Sequence, residues 1–486
     1  MKKPTPLVAL LLVIGLGLLF RLPVLINPER MNSDHAFLGL QALHLFDGAW
    51  RWFLWMSDYQ GIWEPLVAAA YFKIFGISYT TLQWVPLSAW IFLVAMFFSI
   101  ARHELGQGKA FLLSLVWVFV SRPFIDTNVL PYRQWSVLFP LLSVFLFYHW
   151  GRKAGVTFIC GLLPFFALYV DFFSIQFLLP VAGLLFFTSD KKKELALGAL
   201  CGSLLLLLSR YGGPQSGAPL AFAPSTVLHN FTLFFQGCLP VLLGFEFPKT
   251  DTGLVTLEGW VNRYLLFSTG TLFLCLSVGL WRAFSRQEMP LWTRRMGLFG
   301  TAVMLNSAIG FLGSSMASSI HSVRYLTPFV FGIPFALMPA FWKVRTRTVF
   351  ISLTPFLFGI GVGGWHQYGP LVQGIRPVRD PGSWVATANE MGEWIRGQKV
   401  RYGWSEYWVS YQLTFLYQEN PTIIPEDVFN RYPTYSERAD HETTLVQVFT
   451  PKDDMFRDVE FLKKHEGKIT GRWSKNNFRA YLYVVR

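Results

Sequence analysis

Repeated runs of 15 to 20 apolar residues are the feature that most restricts what this chain can fold into. Runs of that length approach the roughly 20 residues a helix needs to cross a bilayer, and they recur along most of the sequence. They fall at Leu7 to Ile26, Leu82 to Ile100, Ala110 to about Ile125, Trp135 to Trp150, Val156 to Val170, Phe172 to Phe187 and Leu195 to Ser209. Beyond a long loop come Leu265 to Trp281, Met296 to Leu312, Tyr325 to Trp342 and Val349 to Val362. With 52% hydrophobic and only 15% charged residues the chain is too apolar for a soluble enzyme of its length. About eleven membrane helices are expected, with the two termini on opposite sides.

The net charge of +13 would suit nucleic acid if it were spread over one surface. It is not. With the N-terminus taken as cytoplasmic, the inner segments hold 16 basic residues against 4 acidic ones, while outer loops and tail are nearly neutral. Lys and Arg concentrate on the cytoplasmic side of membrane proteins, so the charge is a topology signal and nucleic acid drops out. The N-terminus is expected inside and the tail outside, in the plasma (inner) membrane of a bacterium-like cell, facing the periplasm or exterior. The first run follows Lys2 and Lys3 but lacks a small-residue cleavage site, so it reads as a retained anchor. The four cysteines lie far apart with no CxxC spacing, which indicates neither a disulfide framework nor a zinc site.

Residues 1–363 form the expected transmembrane domain, with an outer loop at 27–81, and residues 364–486 a small extracytoplasmic α/β domain. In that tail Trp384 to Ile395 and Asp453 to Lys464 carry helical periodicity; Val400 to Trp404, Thr444 to Phe449 and Ala480 to Val485 read as strands. It holds no recognisable catalytic motif. Pro65 to Phe75 and Ala221 to Phe247 are apolar but short or broken, as interfacial or re-entrant pieces are.

Chemistry concentrates in the first outer loop. Asp34 opens a stretch of helical periodicity, where a capping carboxylate is the plain alternative to a functional one. Glu64 sits beside Pro65, where an exposed loop acid is the plain alternative. Both acids share one loop on one membrane face, with His35, Asp58 and Tyr59 nearby. A second clue is arginine at outer span ends, where positive charge is disfavoured: Arg133, Arg210, Arg263 and Arg324. Any one can snorkel to headgroups. Several converging would make a phosphate site, since guanidinium pairs with phosphate through two parallel donors. Tyr325 and His321 flank Arg324 and join that candidate set.

Asp171 would cost about 2.5 to 3.5 kcal/mol at mid-membrane and is expected at the outer turn of a helix hairpin. Gly359 to Gly364 satisfies GxGxxG, but it ends a membrane span instead of following a strand, so helix packing is its reading. Asn230–Thr232 has the form of a glycosylation sequon.

Ser33–Asp34–His35–Ala36–Phe37–Leu38–Gly39–Leu40–Gln41–Ala42 resembles the first-loop motif of the glycosyltransferase C superfamily, in particular the bacterial members similar to protein O-mannosyltransferases and aminoarabinose transferases (glycosyltransferase family 39-like). His35 stands at the place of that motif's second acid. Trp63–Glu64–Pro65–Leu66 resembles a later loop element, often Glu-Lys-Pro-Pro, without the lysine. Arg324–Tyr325–Leu326–Thr327–Pro328 resembles the Arg-Tyr-x-x-Pro opening of a late span.

The resemblance implies a GT-C-like polytopic helical fold. It implies a sugar donor on a polyprenyl phosphate, which enters from the bilayer, and an acceptor that is a glycan, lipid or protein. Asp34 would be the general base, with Glu64 and His35 beside it. Arg324, Arg210 and Arg133, with Tyr325, Tyr59 and His321, would bind the lipid phosphate or donor. No cofactor is implied; a divalent metal is possible but disfavoured by His35. A lipid or solute transporter and an inactive polyprenyl-lipid-binding relative in envelope assembly remain alternatives.

Overall fold

The computed structural model describes residues 5–26, 31–55, 57–129, 133–210, 222–248, 255–257, 259–285, 288–367, 383–426, 430–450 and 455–485. Two compact units emerge, and they do not follow chain order. One comprises Met1–Leu22, Pro86–Val129 and Arg133–Gln373; the other joins the first loop, Pro23–Val85, to the tail, Gly374–Arg486.

In chain order, α1 (Pro6–Leu25) is followed by α2 (Ser33–Phe46), a short hairpin of β1 (Phe53–Leu54) and β2 (Ser57–Gly61), and α3 (Trp63–Phe75). Then come α4 (Tyr79–Leu105), α5 (Gln107–Ser114), α6 (Arg122–Val129), α7 (Gln134–Trp150), α8 (Ala154–Val170), α9 (Ile175–Thr188) and α10 (Lys192–Arg210). The helical layer continues with α11 (Pro224–Leu233), α12 (Leu239–Leu242), α13 (Gly259–Ser285), α14 (Leu291–Leu312), α15 (Thr327–Phe341) and α16 (Thr346–Gln367). Six of the described helical segments are long and apolar enough to cross a membrane, among them α1, α4, α13, α14 and α16. Ten of the eleven expected runs lie in helix, which leaves the expected count of eleven spans open beside the six that are long enough. The exception is Ala110 to Ile125, which breaks into α5, a 3₁₀ turn at Leu115–Trp117, and α6.

Arg21 satisfies the backbone at that break. Fully buried, it donates to the carbonyls of Trp117 (2.9 Å) and Val118 (3.3 Å), while its guanidinium lies 4.0 Å from the Trp90 ring. Carbonyls freed at a helix end inside an apolar bundle need a donor, and α1 supplies one. The GxGxxG glycines lie within α16: a Cβ on Gly359 would meet Ser268 Oγ at 2.5 Å and one on Gly363 the Gly244 carbonyl at 2.2 Å. They permit close backbone approach, as membrane helix packing requires.

The tail forms α17 (Trp384–Gly397), β3 (Tyr402–Ser405), α18 (Tyr407–Leu416), β4 (Thr422–Pro425), α19 (Thr434–Ala439), β5 (Thr444–Phe449), α20 (Met455–Lys464), β6 (Ile469–Lys475) and β7 (Phe478–Val484). Both expected helices and all three expected strands are present. The unexpected elements are α18, α19, β4 and β6. Strand order is β4-β3-β5-β7-β6, parallel among β4, β3 and β5 and antiparallel beyond. Asn476 and Asn477, at φ 49° and 64°, make the left-handed two-residue turn that joins β6 to β7.

Alternation along the strands sorts residues between two faces. Val446, Val448, Ala480 and Leu482 pack with Ala388, Met391 and Ile395 of α17 and Val409 and Leu413 of α18. The opposite face carries Phe449, Tyr481 and Tyr483 against Phe461 of α20.

Candidate functional site

Asp34 lies in the first turn of α2, where a carboxylate suits the helix dipole. It is not merely a cap. Tyr407, at the start of α18, donates its hydroxyl to Oδ1 of Asp34 at 2.5 Å. Arg431 donates Nη2 to the same oxygen at 3.0 Å and Nε to the Tyr407 oxygen at 2.6 Å. Its guanidinium also sits 4.7 Å from the Phe37 ring, one helical turn beyond Asp34. Both donors fall on Oδ1. Oδ2 makes no hydrogen bond to a described residue, so the carboxylate is held by one oxygen and presents the other.

The backbone around this triad is fixed in turn. Ser33 Oγ accepts from Tyr411 N at 3.0 Å, and the Tyr411 hydroxyl accepts from Arg431 N at 2.7 Å. Burial, reinforced by the Asp34 charge, pushes the Tyr407 phenol well above its ordinary range, so Tyr407 stays a neutral donor. Tyr411 is pushed up by burial to about 12.

His35 closes the start of α2: its Nδ1 accepts from Asn32 N at 3.2 Å, the place a Glu takes in a capping box. Glu64 is in the first turn of α3 and only 3% exposed, a buried carboxylate instead of the loop acid its neighbour Pro65 suggests. Tyr59 lies half-buried on β2; the Asp58 side chain is outside the described residues. No three His, Cys, Asp or Glu side chains gather into a ligand set among the described residues. The residues at Asp34 do not fit a divalent ion, since a guanidinium lies 3.0 Å from its carboxylate and the adjacent His35 uses Nδ1 for the backbone.

A second polar knot joins α2 to the tail. His44 Nε2 lies 2.5 Å from Glu419 Oε1, and the Tyr435 hydroxyl donates to the same oxygen. Trp55 stacks on Tyr432 at 4.2 Å beside them.

In the helical unit, the arginines gather around one turn. Asp171 closes α8, accepts from Phe173 N at 2.8 Å and pairs with Arg133 Nε at 3.4 Å; the carboxylate is buried and the arginine half-buried. Arg133 and Arg324 flank the Tyr325 ring at 5.4 and 5.2 Å, and Arg210 lies 5.8 Å from Phe172. Arg133 and Arg324 therefore share the Tyr325 ring, while Arg210 sits at Phe172, the residue after Asp171. His321 is exposed on the 3₁₀ turn before α15. Arg263 is instead engaged with the Leu257 carbonyl at 3.4 Å.

Tyr407 and Arg431 escaped sequence reasoning. Each lies more than 370 residues from Asp34, in a tail without a motif, and no local signal marks them.

Many apolar helices, an acid-bearing first loop and a mixed α/β tail define a multi-pass membrane protein with the GT-C fold. No protein-family model matches the chain, and no curated protein sequence does. Among solved structures it is similar to ArnT from Cupriavidus metallidurans bound to undecaprenyl phosphate, with 10% identity, 98% of each chain covered and a TM-score of 0.60. It is also similar to the archaeal oligosaccharyltransferase AglB from Archaeoglobus fulgidus in complex with an inhibitory peptide and a dolichol-phosphate, with 12% identity, 98% of this chain and 74% of that one covered and a TM-score of 0.52.

Proposed function

We propose that this chain is an integral-membrane glycosyltransferase that moves a sugar from a polyprenyl-phosphate donor to an acceptor hydroxyl at the outer face of the membrane, with its N-terminus cytoplasmic and its tail outside. The observation that carries this reading is the Asp34 carboxylate, steered through Oδ1 by Tyr407 and Arg431 with Oδ2 left to face a substrate.

The chemistry follows from those groups. The acceptor oxygen attacks the anomeric carbon, its proton passes to Asp34, and the bond from that carbon to the phosphate oxygen breaks with both electrons leaving on the phosphate. One displacement inverts the anomeric centre. A positioned carboxylate base contributes roughly 10² to 10⁴ in rate. Polyprenyl phosphate needs cations at its developing charge more than it needs a proton, and Arg133, Arg210 and Arg324 supply them. Arg133 is already oriented by Asp171, so the cluster is preorganised. Glu64 orients the donor or acceptor sugar, Tyr59, Tyr325 and His321 line the donor, and His35 shapes the site by holding the start of α2. The named ligands of the solved structures, undecaprenyl phosphate and dolichol-phosphate, support a lipid phosphate as the donor's carrier.

The test is Asp34→Asn in membranes supplied with undecaprenyl-phosphate-linked sugar. Transfer should fall by about 10² to 10⁴; transfer near the wild-type rate ends the assignment. Engagement of Oδ1 by a guanidinium favours a second reading, a polyprenyl-phosphate-binding protein without transfer. Undecaprenyl phosphate binding with no covalent product from any donor would select it.

A further inference from the structure

Crevices form at the carboxyl ends of parallel strands where the connections diverge to opposite sides. In the tail's sheet that divergence lies between β3 and β5, because β3 leads through α18 to β4 on one side and β5 leads through α20 to β6 on the other. Under α20 a cleft of about 400 Å³ opens there. Its floor is Trp404, next to last in β3, and Phe449, last in β5; Glu426 follows β4 directly. The volume falls in the roughly 300 to 1,000 Å³ range of small-molecule sites.

Two features separate this face from the aliphatic one beneath α17 and α18. Its aromatic surface is open, with the half-buried rings of Trp404 and Phe461 lining the cleft. Its two carboxylates and its Arg and Lys also cancel in charge, with His465 beside them in the lining. Arg457 pairs with Glu426 at 2.6 Å, and the buried amide of Gln447 donates to the same carboxylate. Glu460 and Lys464, exposed one turn apart on α20, add one charge of each sign.

A phosphate or carboxylate ligand needs surplus positive charge, which this cleft lacks. A neutral ring with an apolar face and hydroxyl edges suits it: aromatic rings take the C–H face, and carboxylate and guanidinium forks take vicinal hydroxyls. We propose that the cleft between α20 and the β3–β5 edge is a binding site for a neutral monosaccharide unit. Asp34 pairs with Tyr407 of α18, which packs on the sheet's other face, so this is a separate site, and the proposal stands without the transferase reading.

The test uses the full-length protein in nanodiscs and saturation-transfer difference NMR with the methyl glycosides of glucose, galactose, mannose and N-acetylglucosamine. Ring protons of at least one should receive saturation, and that signal should fall at least tenfold in Trp404→Ala. Glu460→Gln, at an exposed helix position that leaves the fold alone, should weaken it severalfold, while Asp34→Asn leaves it unchanged. Silence from all four glycosides overturns the proposal. So does a signal that survives both cleft substitutions, one that disappears with Asp34→Asn, or one that inorganic phosphate displaces.

Discussion

Arg431 reaches back across 397 residues to place Nη2 3.0 Å from Oδ1 of Asp34. The fork geometry is what matters, because the same guanidinium also holds Tyr407 through Nε. Lysine keeps the charge and loses the fork. Arg431→Lys should therefore retain most of the thermal stability and reduce transfer about tenfold, while Arg431→Ala, which leaves the carboxylate uncompensated, should reduce both. Transfer rates beside melting temperatures of the two variants separate these effects.

Tyr407→Phe removes one donor to the carboxylate and alters nothing else in size. A hydrogen bond to a charged group contributes about 1.5 to 3 kcal/mol, so transfer should fall about ten- to hundredfold. Because Tyr407 stays protonated well past the ordinary tyrosine range, the wild-type rate should show no step near pH 10 from this phenol. A pH–rate profile of both proteins checks this.

Glu419 gives the tail a pH limit. Burial pushes its carboxyl up, but hydrogen bonds from His44 and Tyr435, with the charges of His44 and Arg438, outweigh burial and hold it below 4.5. A depressed carboxyl stabilises the fold fully above its unfolded value and loses that contribution as pH falls through the folded one. The near-UV signal of Trp55, stacked on Tyr432, should melt earlier below about pH 4.5. Glu419→Gln should melt earlier at pH 7 and lose most of that acid dependence.

The arginine cluster divides into a structural and a binding half. Asp171→Asn removes the carboxylate paired with the half-buried Arg133 and should show as a lowered melting temperature. Arg324 is exposed, so Arg324→Ala should leave melting unchanged and weaken undecaprenyl phosphate about ten- to hundredfold in a binding titration.

Local signals were legible and distant ones were not. Hydropathy is read within one segment, so the runs later covered by α1, α4, α7 and α16 stood out. The break after α5 did not, because the donor that satisfies its freed carbonyls sits on α1 about a hundred residues away. Asp34 and Glu64 were visible as acids in one loop, and the arginines as charges in unusual places. What the acids would touch was not. His35 also reads differently in three dimensions: beside Asp34 it suggests a chemical partner, yet its Nδ1 serves the backbone at the start of α2. Strand β6 was missed because its alternating face is polar and half-exposed, which weakens the apolar signal of a strand.

The long separation between Asp34 and its two partners has a consequence in time. A ribosome adding about 5 to 20 residues per second needs roughly 20 to 80 seconds to pass from Asp34 to Arg431. Through that interval α2 has emerged while Tyr407 and Arg431 do not yet exist. A chain stalled before residue 407 can thus insert its earlier helices and still lack the polar triad.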